Sequence, residues 1–345
     1  MPAASRGCVD RSETVPAGCA HMAALPPAEI RLLRGVGLLR ALHAALPIGR
    51  KYHPLLTLLN GRQGLAALPF AGRELVHPLA MGKSATGLLL AGEACVPEGR
   101  LLPALLRPLT RGALLDVGAN IGIYPLLFRA SSSLPVIAYE PQPLLFRLLE
   151  LCVAHNRLAD VSCRSLACGD TRGNVPFSIG LNGEIATGDA ARNVTTLDAF
   201  DLERAIHDTH AAKSVVDVPL TTLDDDLGDT PVAFLKIDCE GFEHRILRGA
   251  ARLMEQQRPV LFIEVHPLGL EKFGSSAREV VDLLAPLYSL EGWDFSESRF
   301  ASKLVRSLRK HRPTDGRKFA TMEEFLAAAQ DEPRPSQLYL VARPR

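Results

Sequence analysis

From Ala113 onward the chain alternates short β-rich apolar runs with longer runs of helical spacing. "ALLDV" precedes "IGIYPLLFRASS", "PVIAYE" precedes "PQPLLFRLLELCVAHN", and "VSCRSLA" follows. After an irregular stretch, "VAFLKID" precedes "EHRILRGAARLMEQQ", and "PVLFIEV" precedes "SSAREVVDLLAPLY". Such alternation constrains the fold to right-handed βαβ units around a mostly parallel, doubly wound sheet. The strands are apolar almost without interruption, as expected where helices cover both faces. Two stretches break the rhythm. Residues about 174–224 carry "VPFSI", "RNVTTLD" and "SVVDVPLTTLDDDL", which predict an inserted β-rich region. Near the end, "TMEEFLAAA" predicts a helix with a capping box from Thr321 and Glu324, and "SQLYLVARP" a terminal strand.

Ahead of this pattern the texture differs. Residues 1–26 are rich in Ala, Pro and Ser, lack the layout of a secretory signal and are expected to be disordered, with Met22 a plausible start. "AEIRLLRGVGLLRALHAAL" reads as an amphipathic helix and "YHPLLTLLNG" as a short helix stopped at Asn60-Gly61. "RELVHPLAM" and "GLLLAG" read as short strands. Residues 27–110 are thus expected to form a mixed N-terminal subdomain and residues 111–345 the main domain.

Ligands of open α/β sheets bind beyond the carboxyl ends of the strands. There "LLDVGANIG" ends its strand with Asp116 and places Gly118 and Gly122 before the helix. Glycine admits close backbone approach, and a helix N-terminus offers free N–H groups. A dinucleotide site needs G-x-G-x-x-G. Here the spacing is G-x-x-x-G, and Asp116 would repel a pyrophosphate while suiting a sulfonium and an amino group. The turn therefore favours S-adenosylmethionine over NAD(P). Glu140, ending the second strand, is placed to accept from ribose hydroxyls. At the third strand, Asp170 or the backbone near Ala167–Gly169 is placed to meet the adenine edge, with a turn role as the alternative for Asp170.

"FLKIDCEGFEHRILRG" carries the densest signal. Asp238 and Glu240 end the fourth strand, and carboxylates clustered at a ligand-binding end call for a cationic or protic partner. Lys236 is either their counter-ion or a substrate contact. Glu243, in a first helical turn, complements the macrodipole. "PVLFIEVHP" ends the fifth strand with Glu264 and His266, which share one face. Asp238 is read as bridging cofactor and substrate, and Glu240 or His266 as accepting a hydroxyl proton. Mg²⁺ held by Asp238, Glu240 and Glu264 is the rival account; no dedicated ligand spacing supports it, so no metal is expected.

These motifs, "LLDVGANIGIYPL", "AYEPQP", "FLKIDCEGFEHRILRGA" and "PVLFIEVHP", resemble the FkbM-type S-adenosylmethionine-dependent methyltransferases over roughly residues 110–295. The resemblance implies a Rossmann-like class I methyltransferase fold, with a seven-stranded, mostly parallel sheet whose last strand is antiparallel. It implies O-methylation of a hydroxyl on a sugar, glycan or secondary metabolite. By that resemblance Asp116, Gly118, Ala119, Asn120 and Gly122 line the cofactor, Glu140 holds the ribose, and Asp238 and Glu240 face the reaction centre. An NAD(P)-dependent oxidoreductase and a catalytically inactive member of the fold are the alternatives.

Composition excludes little but points one way. A net charge of +1 over 345 residues does not mark a nucleic-acid partner. No apolar run is long enough to span a bilayer. The 7 scattered cysteines form no CxxC pair, which fits a cytoplasmic protein. The basic "KLVRSLRKHRPTDGRK" reads as a solvated helix and loop, with attraction of an acidic acceptor the other reading.

Overall fold

The computed structural model describes residues 30–46, 52–61, 64–79, 82–178, 215–296, 316–330 and 337–345. The proposed tail with Met22, most of the inserted region and nearly all of the basic segment lie outside the described residues.

The central sheet is built from β4 (Ala113–Val117), β5 (Val136–Tyr139), β6 (Val161–Arg164), β10 (Val232–Ile237), β11 (Val260–Val265), β12 (Tyr288–Asp294), β13 (Arg317–Lys318) and β14 (Leu338–Pro344). Their order is β13-β12-β14-β11-β10-β4-β5-β6. Strands β6, β5, β4, β10 and β11 run parallel, and β14 is antiparallel to both β11 and β12. The sheet has eight strands rather than the seven expected. The addition is the two-residue β13, which pairs with Trp293 and Asp294 at the edge and is too short to leave a periodic signal.

Alternate residues of each strand enter two separate cores. Leu114, Phe234 and Phe262 face one side, while Leu115, Val117, Leu235, Ile237 and Ile263 face the other. On the first side stand α5 (Ile123–Ser131) and α6 (Pro143–His155). An aromatic row crosses this face: Phe128 meets Phe234 edge-on at 5.5 Å, and Phe262 stacks on Tyr339 at 5.1 Å. The second side is covered by α8 (Glu243–Arg248), α9 (Ala251–Gln256), α11 (Ala277–Leu284) and α12 (Met322–Gln330). Ser276 caps α11, and Thr321 accepts from the Glu324 N–H, as the capping sequence predicts. "EHRILRGAARLMEQQ" forms two helices, divided at Gly249 and Ala250.

The N-terminal elements form a small sheet, β1 (Ile30–Leu32), β2 (Leu65–Phe70) and β3 (Arg73–Pro78), with α1 (Val36–Ala45), α2 (His53–Asn60), α3 (Gly82–Ala91) and α4 (Leu102–Leu106). Their buried side chains belong to the same core as Leu114 and Phe234. Two expectations fail here. In the run that begins at Ala28, the described residues from Ile30 form a strand and then a helix, divided around Gly35, which has φ 73°. "GLLLAG" lies largely in α3 rather than a strand, because a three-leucine run has no period of its own. Glu74 ties this segment to α6: its carboxylate lies 2.7 Å from His155 Nε2, and its carbonyl accepts from Asn156 Nδ2 at 2.6 Å. Beyond the main sheet, β7 (Ala167–Cys168), β8 (Gly173–Ser178) and β9 (Val215–Thr221) form a third sheet flanking the insertion.

Gly249 sits where a Cβ would lie 1.8 Å from the Gly169 carbonyl oxygen, whereas a Cβ on Gly37 meets nothing within 4 Å. Gly249→Ala is therefore expected to cost about 1–3 kcal/mol in urea unfolding. Gly37→Ala, inside α1, should be neutral to stabilising by up to ~1 kcal/mol. Equal effects would contradict this packing account.

Candidate functional site

Strands β4, β5 and β10 end at a cavity of about 120 Å³ that opens to solvent. Gly118, Asn120, Glu140, Asp238 and Glu240 contribute its polar lining, and Leu166, Cys168, Phe177 and Phe242 part of its apolar lining. A largely apolar lining with a few convergent polar groups suits a small-molecule ligand.

The glycine turn is built differently from the sequence expectation. The Gly118 and Ala119 N–H groups both donate to the Tyr139 carbonyl, Asn120 N–H to Glu140 Oε2 at 2.8 Å, Ile121 N–H to Asn120 Oδ1, and Gly122 N–H to the Ala119 carbonyl. These donors are spent within the protein, so the turn is not an open anion cradle. Ala119 and Gly122 do not line the cavity. A Cβ on Gly122 would press on Leu149 and Cys152 of α6, so that glycine serves helix packing. Gly118 has φ 83°, and a Cβ there would lie 2.1 Å from the Asp238 carbonyl oxygen; it lets the ends of β4 and β10 meet.

Asp116 does not line the cavity either. It is fully buried and lies 2.9 Å from Lys236 Nζ, its register partner on β10. The two buried groups form a close ion pair. Lys236, 1% exposed, also donates to the Gly118 carbonyl at 3.0 Å, stands 3.6 Å from Asp238 and lies over the Tyr124 ring. Burial lowers the affinity of this amine for its proton, but the charges of Asp116 and Asp238 outweigh it and hold the group charged. Burial pushes the Asp116 carboxyl up while Lys236 pulls it back. The ammonium, gripped from several sides, is the firmly charged member. Lys236 is thus the internal counter-ion, not a substrate contact.

Glu140 stands where the sequence placed it. It is buried, faces the cavity, and accepts one backbone N–H on each oxygen, from Asn120 and from Gln142. Burial, only partly offset by these two bonds, pushes its carboxyl up to about 7. Asp170 is elsewhere: it faces Arg248 at 3.5 Å and Arg245 at 4.0 Å, outside the cavity. The other stretch named by the sequence, near Ala167–Gly169, reaches the cavity through Ala167 and Cys168 of β7, with Leu166 ahead of them.

Asp238, Glu240, Glu264 and His266 come together. His266 Nε2 lies 3.8 Å from Asp238 Oδ1, 3.7 Å from Glu240 Oε2 and 3.8 Å from Glu264 Oε1. Its Nδ1 lies 2.7 Å from Glu243 Oε1, which also accepts the Gly241 N–H. Burial alone would lower the histidine pKa; the Glu243 hydrogen bond and the surrounding carboxylates outweigh it and raise it to about 10. Glu264 accepts from the Tyr339 hydroxyl, its cross-strand partner, and burial raises its pKa. Glu243, read as a macrodipole partner, is fully buried and orients His266. Tyr339 and Glu98, which accepts from Tyr124 at 3.1 Å, were missed by sequence reasoning; only the alternation of β14 could have marked Tyr339.

A mostly parallel sheet with its cavity beyond the ends of the central strands and an acidic residue closing the second defines a Rossmann-like α/β protein. The methyltransferase FkbM domain matches residues 116–296, more than half of the chain, and the chain belongs to that methyltransferase family. No curated protein matches it. Similar solved structures include methyltransferase FkbM from Methylobacillus flagellatus KT, 17% identical over 61% of this chain and 50% of that one, with a TM-score of 0.33. An rRNA methylase from Streptococcus thermophilus is 9% identical over 72% of this chain and 95% of that one, with a TM-score of 0.36. An O-methyltransferase from Bacillus cereus in complex with SAH is 12% identical over 73% and 80%, with a TM-score of 0.34. The match thus spans half the length of the Methylobacillus protein. No helix among the described residues is long and apolar enough to cross a membrane.

Lys236→Met leaves Asp116 buried without its counter-charge. The loss in urea unfolding should be about 3–5 kcal/mol, and Asp116→Asn added to it should recover much of that. A single variant as stable as the wild type would mean that the pair does not hold β4 to β10.

Proposed function

We infer that the chain is an S-adenosylmethionine-dependent O-methyltransferase acting on a hydroxyl of a sugar, glycan or secondary-metabolite acceptor. The observation that carries this reading is Glu140: a buried carboxylate on the cavity wall, each oxygen taking one backbone N–H and keeping lone pairs for another donor. Two ribose hydroxyls match that demand. Leu166, Phe177 and Phe242 suit the faces of an adenine, and Asp238 and Glu240 lie on the wall formed by the end of β10. Carboxylates suit a sulfonium there, whereas a pyrophosphate would meet repulsion and find the turn's N–H groups engaged. The elements before residue 111 serve as a cover on one face of a methyltransferase domain over residues 111–345. Cys152, Cys163, Cys168 and Cys239, in no disulfide among the described residues, suit a cytoplasmic setting.

When bound, the cofactor supplies an electrophilic methyl group. The chain must then hold an acceptor oxygen in line and remove its proton. Alignment supplies about 7–11 kcal/mol at best, and a general base about 10²–10⁴-fold, so positioning dominates. Glu240 is the proton acceptor on this reading. It lines the cavity and its side chain is 54% exposed, whereas His266 is tethered by Glu243 and lies outside the lining. Asp238 orients the groups between them.

Isothermal calorimetry is expected to show binding of S-adenosylmethionine and S-adenosylhomocysteine and none of NAD⁺. Ribose donation needs Glu140 ionised. Its pKa is raised from 4.5 to about 7 in the ligand-free protein. Affinity should therefore weaken as pH falls below about 7, by up to about tenfold per unit, and level off above it. Glu140→Gln should flatten that profile. With a panel of hydroxyl acceptors, Glu240→Gln should lower methyl transfer by about 10²–10⁴-fold at little cost in donor affinity. A clean NAD⁺ isotherm without donor binding would overturn the reading, and unchanged turnover in Glu240→Gln would remove that residue as base.

A further inference from the structure

The large apolar side chains exposed among the described residues are Leu32, Leu38, Leu42, Leu46, Leu58 and Leu268. All but the last belong to the N-terminal elements. Within α1, Gly37, Leu38, Ala41, Leu42 and Ala45 fall on one face at helical spacing, and each is exposed. The other side supplies Leu39, fully buried in the core. A helix on the surface of a globular domain ordinarily turns a polar face outward; this one is apolar on both sides. The outer face is firmly held. The Tyr52 hydroxyl donates toward the Leu42 and Leu46 carbonyls at 2.8 and 2.7 Å, where a helix end otherwise leaves acceptors open. Asn60, at the end of α2, accepts the Arg34 N–H at 2.7 Å and donates to the Arg34 carbonyl at 3.2 Å, which fixes the approach to α1.

Charge supplies a second, independent observation. From Ile30 to Gly72 the sequence contains Arg31, Arg34, Arg40, Arg50, Lys51 and Arg62 and no Asp or Glu. A chain with a net charge of +1 thus gathers cations in the same stretch as its exposed leucines. Arg34 and Arg40 are exposed, the first just ahead of α1 and the second flanking the leucine face. Of the carboxylates lining the groove beside Arg40, Glu74 is turned to His155 at 2.7 Å, and Glu93 accepts the Ala71 N–H at 2.7 Å. The residue types separate the occupants such a face can have. Protein interfaces centre on aromatic anchors and Met. Here leucines alternate with Gly and Ala and are edged by arginine, the pattern of a helix lying in a membrane interface.

We propose that the outer face of α1 docks the protein on an anionic lipid bilayer, with Leu38, Leu42 and Leu46 entering the boundary of the acyl chains and Arg34 and Arg40 meeting lipid phosphates. Such docking is peripheral, since no helix among the described residues is long and apolar enough to cross a membrane. The leucines alone give marginal, reversible binding, and the arginines add the second signal that stable attachment needs. The proposal stands apart from the methyl-transfer reading and holds whatever the cavity binds.

The test is flotation of the full chain with phosphatidylcholine vesicles containing about 30% phosphatidylglycerol. Binding is expected, and it should weaken by about tenfold or more on pure phosphatidylcholine. It should weaken likewise in about 1 M NaCl, where the screening length is about 3 Å. Arg34→Ser with Arg40→Ser should lower affinity by about 30-fold, about fivefold for each arginine. Leu38→Ser with Leu42→Ser should lower it by more than about tenfold. Leu268→Ser, at a site 59% exposed elsewhere on the protein, should change nothing. Circular dichroism on the same samples reports folding, and Ala41→Glu, which sets a charge in the middle of the exposed face without touching the core, should repeat the loss. No binding of the wild type to the anionic vesicles, equal binding to neutral ones, or unchanged binding in Ala41→Glu would overturn the proposal. So would a wild-type dimer that Ala41→Glu splits in sedimentation velocity while vesicle binding is absent, because the face would then cover a second copy of the chain.

Discussion

Lys236 carries its charge to a position with 1% exposure, under the turn that follows β4. Everything at the site is arranged from there. The ammonium meets Asp116 across the β4–β10 register and grips the Gly118 carbonyl, so the two central strands end in one fixed geometry. Burying either charge alone would be prohibitive; together they are tolerated because the geometry is close and the remaining contacts are polar or aromatic. The pair need not add net stability to hold its neighbours in register. It sets where Gly118 turns and therefore where the Asn120 N–H meets Glu140.

On the same face, one row further toward the strand ends, the polar side chains continue. Glu264 pairs with Tyr339 across β11 and β14, and Asp238 stands between them and Lys236. Below this row the face is aromatic, from Phe128 through Phe234 to Phe262, which stacks on Tyr339. The boundary between those rows raises the carboxyl pKa of Glu264 and keeps the charges close to one another without bulk water to screen them. The N-terminal elements share this core, and Glu98 reaches Tyr124 from that side, so the cover and the site are parts of one packed unit.

Much of this was legible in the chain. Strands with unbroken apolar runs and acidic or glycine punctuation named the sheet and which of its ends carries chemistry, and Glu140, Asp238, Glu240, Glu264 and His266 fall where that logic put them. What failed did so for physical reasons. A single sequence shows which residues stand near a turn but not which way they face: Asp116 turns into the core, and Ala119 and Gly122 spend their N–H groups internally. Asp170 was drawn off by Arg245 and Arg248, whose helix is distant in sequence. Glu243 obeys the macrodipole rule in sequence, yet its complete burial gives it a different task, holding an imidazole ring. Contacts across strands, such as that of Tyr339 with Glu264, need the register, and register is fixed only when the sheet is assembled.

The central claim is that the cavity beyond β4, β5 and β10 receives an adenosyl sulfonium donor through the Glu140 carboxylate. A crystal structure of the chain with S-adenosylhomocysteine tests it most directly. The account predicts the ribose hydroxyls on Glu140, the adenine among Leu166, Phe177 and Phe242, and the sulfur end toward Asp238. A ligand bound with its ribose away from Glu140, or seated elsewhere on the protein, would contradict it.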